Sequence, residues 1–297
     1  MKFLIFGGNG FVGNALVKHI ELNGGEVLSL SRSGAKNSLA IDITQESDFE
    51  KINFHPGVII NCASQVPTLE KSSKDPEFLK ELFLTNVIGA VNIANWAVKY
   101  SVPKIINCST LVVVKKPWPS PLTEAYSSVP DGAHVGYSMS KLSQEKLMQQ
   151  AVNGSNTTLL HLRFSAVYGT NMVPLGIIFS LLDKLNKNEE IKLFDADKNT
   201  FDFINVQDVI KIIFELSHQN FDNGIVNLAS GKPMSLMQLV TLLKTITGSS
   251  SIIKNTDTLA QASTALISIE KLSGLLGQID FMDIKEGLKL IVDNYKR

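Results

Sequence analysis

Two side chains that could exchange a proton stand four residues apart in the stretch YSMSKLSQEK. Tyr137 and Lys141 would share one face of a helix at this spacing, one turn apart. An unperturbed phenol has a pKa of about 10, and a neighbouring ammonium lowers that pKa because it favours the phenolate. The hydroxyl of Thr110, in the stretch NCST, could hydrogen-bond the same substrate oxygen. Together the three residues could donate or accept the proton of an alcohol or ketone.

The order of these residues along the chain argues for chemistry more strongly than the pair itself. A chain with 5 tyrosines and many lysines can contain a Tyr and a Lys four residues apart by chance. Here, however, the pair follows two apolar runs that end in polar residues, VIINCAS and KIINCST. If both runs are strands of one parallel sheet, their carboxyl ends lie where such sheets bind ligands. The constellation is therefore a candidate active site.

Short apolar runs alternate with helical-period segments through the first half of the chain. The runs are KFLIF, EVLSLS, VIINCAS, KIINCST and TLLHLRFS, and they lack strict alternation of polar and apolar residues. Strands covered on both faces have this pattern, and the segments between them are long enough for crossover helices. The sequence predicts an α/β fold with a doubly wound, Rossmann-like parallel sheet over residues 1–168. A smaller C-terminal α/β substrate lobe is predicted over 169–297, with 201–230 returning to the main sheet.

Three glycines follow the first predicted strand in KFLIFGGNGFVG and open the first helix. Gly7 permits a tight turn, Gly10 lets the backbone approach a pyrophosphate, and Gly13 lets the helix pack on the strand. The helix N-terminus adds unpaired N–H groups and the positive end of a dipole. The spacing is GxxGxxG rather than GxGxxG, but its position at the start of a strand–helix–strand unit predicts dinucleotide binding. Bound nicotinamide would supply hydride transfer.

The end of the second predicted strand, EVLSLSRSG, bears on which dinucleotide is bound. An acidic residue at this position would hydrogen-bond the ribose of NAD and repel a 2′-phosphate. Ser31 and Arg32 stand there instead, and a hydroxyl and a guanidinium can both bind a phosphate. The sequence therefore predicts a preference for NADP(H), with NAD(H) as the alternative.

Composition and charge limit the partners of this 297-residue chain. Hydrophobic residues make up 44% and charged residues 19% of it, as in a globular protein. Lys plus Arg and Asp plus Glu both number 28, so no charge excess favours nucleic acid or a membrane surface. Cys62 and Cys108 are expected to be free thiols in a reducing, cytoplasmic compartment, with no metal site, export signal or membrane span. The expected partner is a small molecule.

Motifs along nearly the whole chain are similar to those of one enzyme family. They are GGNGFVG, DIT, NCAS, LFLTNVIGAVNIANWA, INCST, PLTEAY, YSMSKLSQE, LRFSAVYG, FDFINVQDV and NLASGKPMSLMQLVTLL. With them the sequence closely resembles the extended short-chain dehydrogenase/reductases, specifically the NAD(P)-dependent sugar-nucleotide epimerase/dehydratase group. The resemblance implies Tyr137 as catalytic acid/base, Lys141 as its electrostatic partner that also holds the nicotinamide ribose, and Thr110 as the third hydroxyl.

The resemblance also implies where cofactor and substrate bind. Asp42 and Ile43 are expected near the adenine. The full expected cofactor site comprises Gly7, Asn9, Gly10, Phe11, Val12, Gly13, Ser31, Arg32, Asp42, Ile43, Cys62, Ala63, Ser64, Asn86, Tyr137 and Lys141. The expected substrate site comprises Thr110, Tyr137, Ser165 and Ala166, for a substrate that is expected to be a nucleotide sugar. Two long helices, over 75–100 and 137–153, are expected to form the four-helix homodimer interface usual in this family.

Several departures from the family pattern bear on reaction and substrate. Dehydratases of the group carry an Asp-Glu pair directly after the catalytic threonine, where this chain has Leu111 and Val112, so 4,6-dehydration is not expected. Sugar-nucleotide enzymes of the group usually place an arginine and an asparagine near the diphosphate or nucleotide, where this chain has Phe201 and Ala166. A bound diphosphate would need lysines or backbone N–H groups in place of a guanidinium.

The sequence leaves three reactions open. The main hypothesis is reduction of a keto group, such as the 4-keto group of a sugar nucleotide, with NADPH, which Ser31 and Arg32 favour. An NAD-dependent sugar-nucleotide epimerase would use the same Tyr, Lys and Thr, although the acidic residue expected after its second strand is absent. The missing arginine keeps a reductase of a non-nucleotide ketone open. A catalytically idle cofactor-binding protein would not need all three active-site residues.

Overall fold

The computed structural model describes residues 1–35, 37–68, 70–72, 74–127, 129–132, 134–258 and 263–295. The strands within these residues are β1 (Lys2–Phe6), β2 (Glu26–Ser31), β3 (Leu39–Ala40), β4 (Val58–Asn61), β5 (Lys104–Thr110), β6 (Thr158–Phe164), β7 (Ala166–Tyr168), β8 (Ile191–Phe194), β9 (Thr200–Asn205), β10 (Gly224–Leu228), β11 (Pro233–Ser235) and β12 (Ile253–Thr256). Seven of these strands form one parallel sheet in the order β10-β6-β5-β4-β1-β2-β3. Because the order reverses between β1 and β4, the sheet is doubly wound, as predicted.

Helices cover both faces of this sheet. The α-helices in the described residues are α1 (Phe11–Leu22), α2 (Pro76–Phe83), α3 (Ala90–Lys99), α4 (Val135–Val152), α5 (Ile177–Asn186), α6 (Val206–His218), α7 (Leu236–Thr247), α8 (Glu270–Leu276) and α9 (Ile284–Tyr295). Side chains of α1 and α6, such as Leu16 and Val209, belong to the core on one face. Ile93 of α3 and Met148 of α4 belong to the core on the other. None of the helices seen in this part of the chain combines the length and apolarity that crossing a membrane requires.

The first strand shows why the apolar runs lack alternation. Phe3 and Ile5 point into the core beneath α1 and α6, whereas Leu4 and Phe6 point into the core beneath α3 and α4. All four side chains are completely buried. A central parallel strand must be apolar on both faces because helices cover both.

The carboxyl ends of β1, β4 and β5 meet at one edge of the sheet, because neighbouring residues of these strands are in register there. Phe6 lies opposite Asn61, and Asn61 lies opposite Asn107. The chain leaves the sheet at this edge and enters the glycine turn after β1 and a short 3-10 turn (Leu111–Val113) after β5. The residues predicted to carry chemistry therefore converge where a doubly wound sheet binds its ligand.

The long helix predicted over 75–100 contains an irregular middle. Asp75 caps α2 by accepting a hydrogen bond from the N–H of Glu77, and a π-helical segment (Leu84–Gly89) joins α2 to α3. Within that segment, Gly89 lies so close to Ile43 that a Cβ on it would be 2.5 Å from Ile43 Cγ1. Periodicity predicted the helix but not the π segment.

The second half of the chain builds a smaller lobe with a separate core. Strands β7, β9 and β11 form a three-stranded sheet, and β8 pairs in parallel with β12. Helices α5, α7 and α9 pack on this lobe through residues such as Leu182, Leu243 and Leu288. The segment 201–230 divides between the two parts: β9 belongs to the lobe, whereas α6 packs on the main sheet and β10 joins it.

Candidate active site

A cleft of about 560 Å³ runs along the carboxyl ends of β1, β2 and β4. Most residues predicted to touch a cofactor line it together, namely Gly7, Asn9, Gly10, Ser31, Arg32, Asp42, Ile43, Cys62, Ala63 and Ser64. The sequence analysis missed further lining residues, Phe6, Leu30, Ser33, Ile41, Gln65 and Thr85. All six directly adjoin a predicted residue in the chain, so their position next to a motif was the available signal.

The glycine turn fits a dinucleotide. Gly7 has a φ of +79°, and a Cβ on it would lie 2.6 Å from the backbone nitrogen of Ala63. A Cβ on Gly13 would lie 2.3 Å from the carbonyl oxygen of Gly7, so only glycine lets α1 pack this closely on the turn. No side chain caps the start of α1 after Gly10. Its N–H groups are thus available to a pyrophosphate at the cleft.

Ser31 and Arg32 contribute differently to the far end of the cleft. The Ser31 hydroxyl accepts a hydrogen bond from Asn9 Nδ2 at 2.7 Å and one from the N–H of Gly34 at 3.1 Å, and it contacts the Ser38 hydroxyl at 2.9 Å. It is therefore used in holding its own loop against the glycine turn. Arg32 is exposed and lines the cleft, where its guanidinium can meet a ligand.

Tyr137 lies in the first turn of α4, close to Ser64 of the cleft wall. Burial raises the pKa of Tyr137 to about 12, and the nearby Ser64 hydroxyl lowers that pKa only in part. Because Ser64 lines the cleft, the phenol lies beside the wall of the cleft. At neutral pH the phenol keeps its proton, and the lowered pKa expected from the Tyr–Lys spacing is not present in this structure.

The ammonium of Lys141 is directed at the sheet rather than at the phenol. Its Nζ donates to the carbonyl oxygen of Cys108 at 2.7 Å and to Oε1 of Gln144 at 2.5 Å. Lys141 is 2% exposed, and burial lowers its pKa to about 8. A buried cation needs acceptors, and the long lysine chain reaches two of them beneath the helix. This is the physical reason why i, i+4 spacing alone did not predict its contacts.

Other residues predicted for the cofactor site stand behind the cleft or beside it. Asn86 is fully buried in the π segment, where it accepts from the N–H of Gln65 at 2.7 Å and donates to the Ser140 hydroxyl at 3.0 Å. It thereby ties the end of β4 to α4. Phe11 and Val12 belong to α1 and, like Gly13, are not part of the cleft lining.

The predicted substrate residues lie at the ends of β5 and β6. Thr110 ends β5, and its hydroxyl accepts a hydrogen bond from the N–H of Val112 at 3.3 Å. The Ser165 hydroxyl is buried and makes no hydrogen bond within the described part of the chain, although it lies near the Asp202 carboxylate, which accepts from Ser230. Ala166 is exposed at the start of β7. The structure thus leaves Thr110 partly exposed, whereas the Ser165 hydroxyl is buried.

A buried polar layer beneath α4 was not predicted. Asn61, Asn107 and His161 lie opposite one another on β4, β5 and β6. Asn61 donates to Asn107 at 2.9 Å, and Asn107 donates to the same Gln144 oxygen that accepts from Lys141, at 3.2 Å. The repeated Asn-Cys in NCAS and NCST was the sequence signal for matched positions, but only the register shows that the side chains touch.

Glu145 and Arg163 form a buried ion pair at the edge of this layer. Arg163 donates to both carboxylate oxygens of Glu145, at 3.0 and 2.7 Å, and the Ser109 hydroxyl donates to Oε1 at 2.5 Å. Burial disfavours the charged carboxylate, but Arg163 outweighs it, so the pKa of Glu145 lies below its ordinary value. Bidentate pairing of this kind gives the layer one defined geometry.

His161 is expected to make folding stability fall in acid. Burial lowers its pKa from 6.5 to about 4, so the unfolded chain takes up a proton first as the pH drops. Its contribution to the free energy of unfolding is complete above pH 6.5 and is lost towards pH 4, by about 3 kcal/mol in all. Urea unfolding of wild type and His161→Leu across this range should show the gap between the two curves changing by that amount. Parallel curves would contradict the expectation.

Comparison with known proteins agrees with this geometry. A model of the NAD dependent epimerase/dehydratase family matches residues 3–229. The chain belongs to this family. The chain is also similar to a putative UDP-glucose 4-epimerase of Methanocaldococcus jannaschii, which is 29% identical over 98% of this chain and 97% of its own length. A UDP-glucose 4-epimerase of Mycolicibacterium smegmatis is 24% identical over 82% of each chain. The resemblance predicted from the motifs is confirmed.

Solved structures of the epimerase/dehydratase family share the fold. A UDP-glucose 4-epimerase of Thermotoga maritima, solved with UDP-glucose, superposes with a TM-score of 0.83 at 24% identity, covering 100% of this chain and 99% of the other. The predicted Rossmann-like parallel sheet is thus confirmed by the fold and by its neighbours. These structures leave the roles of the individual site residues as predictions.

Proposed function

We propose that the protein is an NAD-dependent 4-epimerase of UDP-hexoses. The observation that carries the proposal is the position of Tyr137 beside Ser64 in the wall of the cleft, with Thr110 at a neighbouring strand end and no carboxylate at Leu111 or Val112. Such a set can move one proton but lacks the second acid–base pair for loss of water. The names of the two relatives support the epimerase over the NADPH ketoreductase that the sequence analysis placed first.

In this mechanism the protein residues handle the substrate oxygen and its proton. Tyr137 exchanges a proton with the 4-hydroxyl or 4-keto oxygen of the sugar, while Thr110 hydrogen-bonds the same oxygen. Lys141, held on Cys108 and Gln144, keeps a positive charge beneath the site that favours the phenolate when it forms. Bound NAD⁺ would supply reversible hydride acceptance at the sugar carbon. Turning of the keto sugar between the two transfers would invert the centre.

Turnover of UDP-glucose and UDP-galactose tests the proposal. Purified protein with NAD⁺ and no added reductant should interconvert the two, followed by proton NMR. In deuterium oxide the product should carry no deuterium at C4, because the hydride returns from the cofactor and not from solvent. If the protein interconverts none of the UDP-hexoses tested but steadily oxidises NADPH in the presence of a 4-keto sugar nucleotide, the proposed epimerase function is wrong. The protein would then be a ketoreductase.

Arg32 is expected to decide how well NADP⁺ binds, with NAD⁺ as the resident cofactor. Arg32 lines the cleft and is exposed, whereas the Ser31 hydroxyl already binds its own loop. Arg32→Ala should weaken NADP⁺ binding at least about 10-fold and change NAD⁺ binding little, because only NADP⁺ carries a 2′-phosphate. Calorimetric titration of both cofactors measures this, with Lys99→Ala on α3 as the control. Equal losses for the two cofactors would contradict it.

A specific observation keeps the non-nucleotide ketone as a second candidate. Phe201 lies where the family's arginine is expected and stacks on Phe203, with 5.7 Å between ring centroids. An aromatic pair offers no charge to a diphosphate. If UDP does not bind in the presence of NAD⁺, the substrate is a smaller ketone or alcohol, and binding of UDP supports the nucleotide sugar.

The predicted homodimer remains a proposal, supported by apolar side chains exposed on the two helices concerned. They are Phe83, Leu84 and Ile88 along α2 and the π segment, and Leu147 on α4. Exposed apolar groups clustered on a helix pair favour association. Light scattering at micromolar concentration should give twice the monomer mass, and Ile88→Glu should halve it. Leu22→Glu, at a still more exposed apolar position on α1, serves as the control, and a monomeric wild type would refute the dimer.

A further inference from the structure

Two cysteines with no role in the proposed reaction face each other at the edge of the cofactor cleft. Cys62 follows the last residue of β4, and Cys108 lies near the end of β5. Their sulfur atoms are 3.5 Å apart, both residues are free thiols, and each is partly exposed. Cys62 lines the cleft itself.

The register of the sheet makes the two thiols a matched pair. Asn61 lies opposite Asn107, so the next residues, Cys62 and Cys108, also stand opposite one another and point to the same face. Adjacent strands lie about 4.8 Å apart, which is inside the span of Cα separations found in disulfides. The sulfurs need to approach by about 1.5 Å to reach a bond length of about 2.05 Å.

We infer that Cys62 and Cys108 form a redox-active pair that can close into a disulfide when the cofactor cleft is empty. The reaction partner is a small-molecule disulfide of the glutathione class. A cofactor lying along the cleft would cover Cys62 and so keep the pair reduced. The inference rests on the cleft and not on the identity of the sugar substrate.

The exchange proceeds in two balanced steps. The Cys62 thiolate attacks the small disulfide, forming a mixed disulfide and releasing one small thiol. Cys108 then attacks the Cys62 sulfur, forms the protein disulfide and releases the second small thiol. Two protein thiols are oxidised, and one small disulfide is reduced to two thiols. The neighbouring thiol and burial raise the pKa of Cys62, so the rate should increase towards alkaline pH.

Closure would disturb both halves of the site. The backbone at Cys62 and Ala63 packs directly on Gly7. A Cβ on Gly7 would lie 2.7 Å from the Cys62 carbonyl carbon. The carbonyl of Cys108 accepts the Lys141 ammonium at 2.7 Å. Moving either strand end shifts the glycine turn or the lysine. The oxidised protein should therefore bind NAD⁺ at least about 10-fold more weakly, and dithiothreitol should restore binding.

Mass spectrometry of the full chain provides the test. Cofactor-free protein is incubated with excess oxidised glutathione at about pH 8.5, then alkylated and digested. The expected product has lost two hydrogen atoms and yields one linked peptide that contains both cysteines, and saturating NAD⁺ should slow its formation. In the Cys108→Ala variant the reaction should stop at the mixed disulfide between Cys62 and glutathione. Dithiothreitol should remove this glutathione, and the NAD⁺ affinity of the variant should then equal its affinity before oxidation.

Three results would overturn the inference. They are two alkylatable thiols after prolonged incubation, stable glutathione adducts on both cysteines, and closure at the same rate with and without NAD⁺. The readout is the mass of the protein, so it is independent of whether the protein acts on UDP-hexoses. An absence of epimerase activity together with a linked peptide would refute the proposed substrate and leave the thiol pair in place.

Discussion

Tyr137→Phe is expected to lower kcat by about 10²–10⁴-fold, the range that a positioned acid–base group contributes. The ring remains, so NAD⁺ affinity and KM should change little. The lost hydroxyl is the only group of this side chain that can exchange a proton. The Ser64 hydroxyl keeps contacts of 3.2 Å with both Gln65 O and Asn86 Oδ1, so the fold should tolerate the change.

The matched control for this substitution is Tyr100→Phe at the end of α3. Tyr100 is 48% exposed and packs on Trp96, so it loses a hydroxyl far from the cleft. Steady-state kinetics of both variants with UDP-galactose, with cofactor titration alongside, separates chemistry from binding. A Tyr137→Phe enzyme with near-normal kcat would remove the phenol from the mechanism and point to another acid.

Arg163→Met is expected to destabilise the protein by about 3–5 kcal/mol, because it leaves the buried Glu145 carboxylate without its bidentate partner. The Ser109 hydroxyl is then the remaining donor among the contacts described above. Urea unfolding at neutral pH measures the loss. The double variant Glu145→Leu/Arg163→Met removes both charges and should be markedly more stable than the single variant.

The pH dependence of this loss has a definite sign. In the wild type the pKa of Glu145 is lowered, so its contribution to stability is present at neutral pH and lost in acid. Without Arg163, burial raises that pKa instead, so the variant should recover relative to the wild type as the pH falls. A loss that is small, or unchanged between neutral and mildly acid pH, would show that the carboxylate is already solvated.

Local patterns in the sequence were sufficient for most of the architecture. Helices cover both faces of β1, so its residues from Phe3 to Phe6 form an unbroken apolar run. Such a run is visible in the sequence and predicts burial on both faces. The turn at Gly7 was likewise predictable, because a residue with positive φ is usually glycine. The cofactor cleft followed from these two signals together.

Contacts of long polar side chains could not be predicted in this way. Lys141 was placed beside Tyr137 by spacing, yet its ammonium reaches the carbonyl of Cys108, which is 33 residues away in the chain. Spacing fixes the face of a helix, but the acceptor that a buried ammonium finds depends on what packs beneath that face. The missed layer of Asn61, Asn107 and His161 has the same cause.

By itself, the sequence of this protein determined the doubly wound sheet, the glycine turn and the positions of Thr110, Tyr137 and Lys141 on their elements. These follow from periodicity and backbone preference, which act over a few residues. The tertiary structure alone decided that Ser64 lies near the phenol, that Arg163 neutralises Glu145 and that Cys62 faces Cys108. Each of these depends on register between strands or packing of a helix on the sheet, and both bring together residues that are distant in the chain.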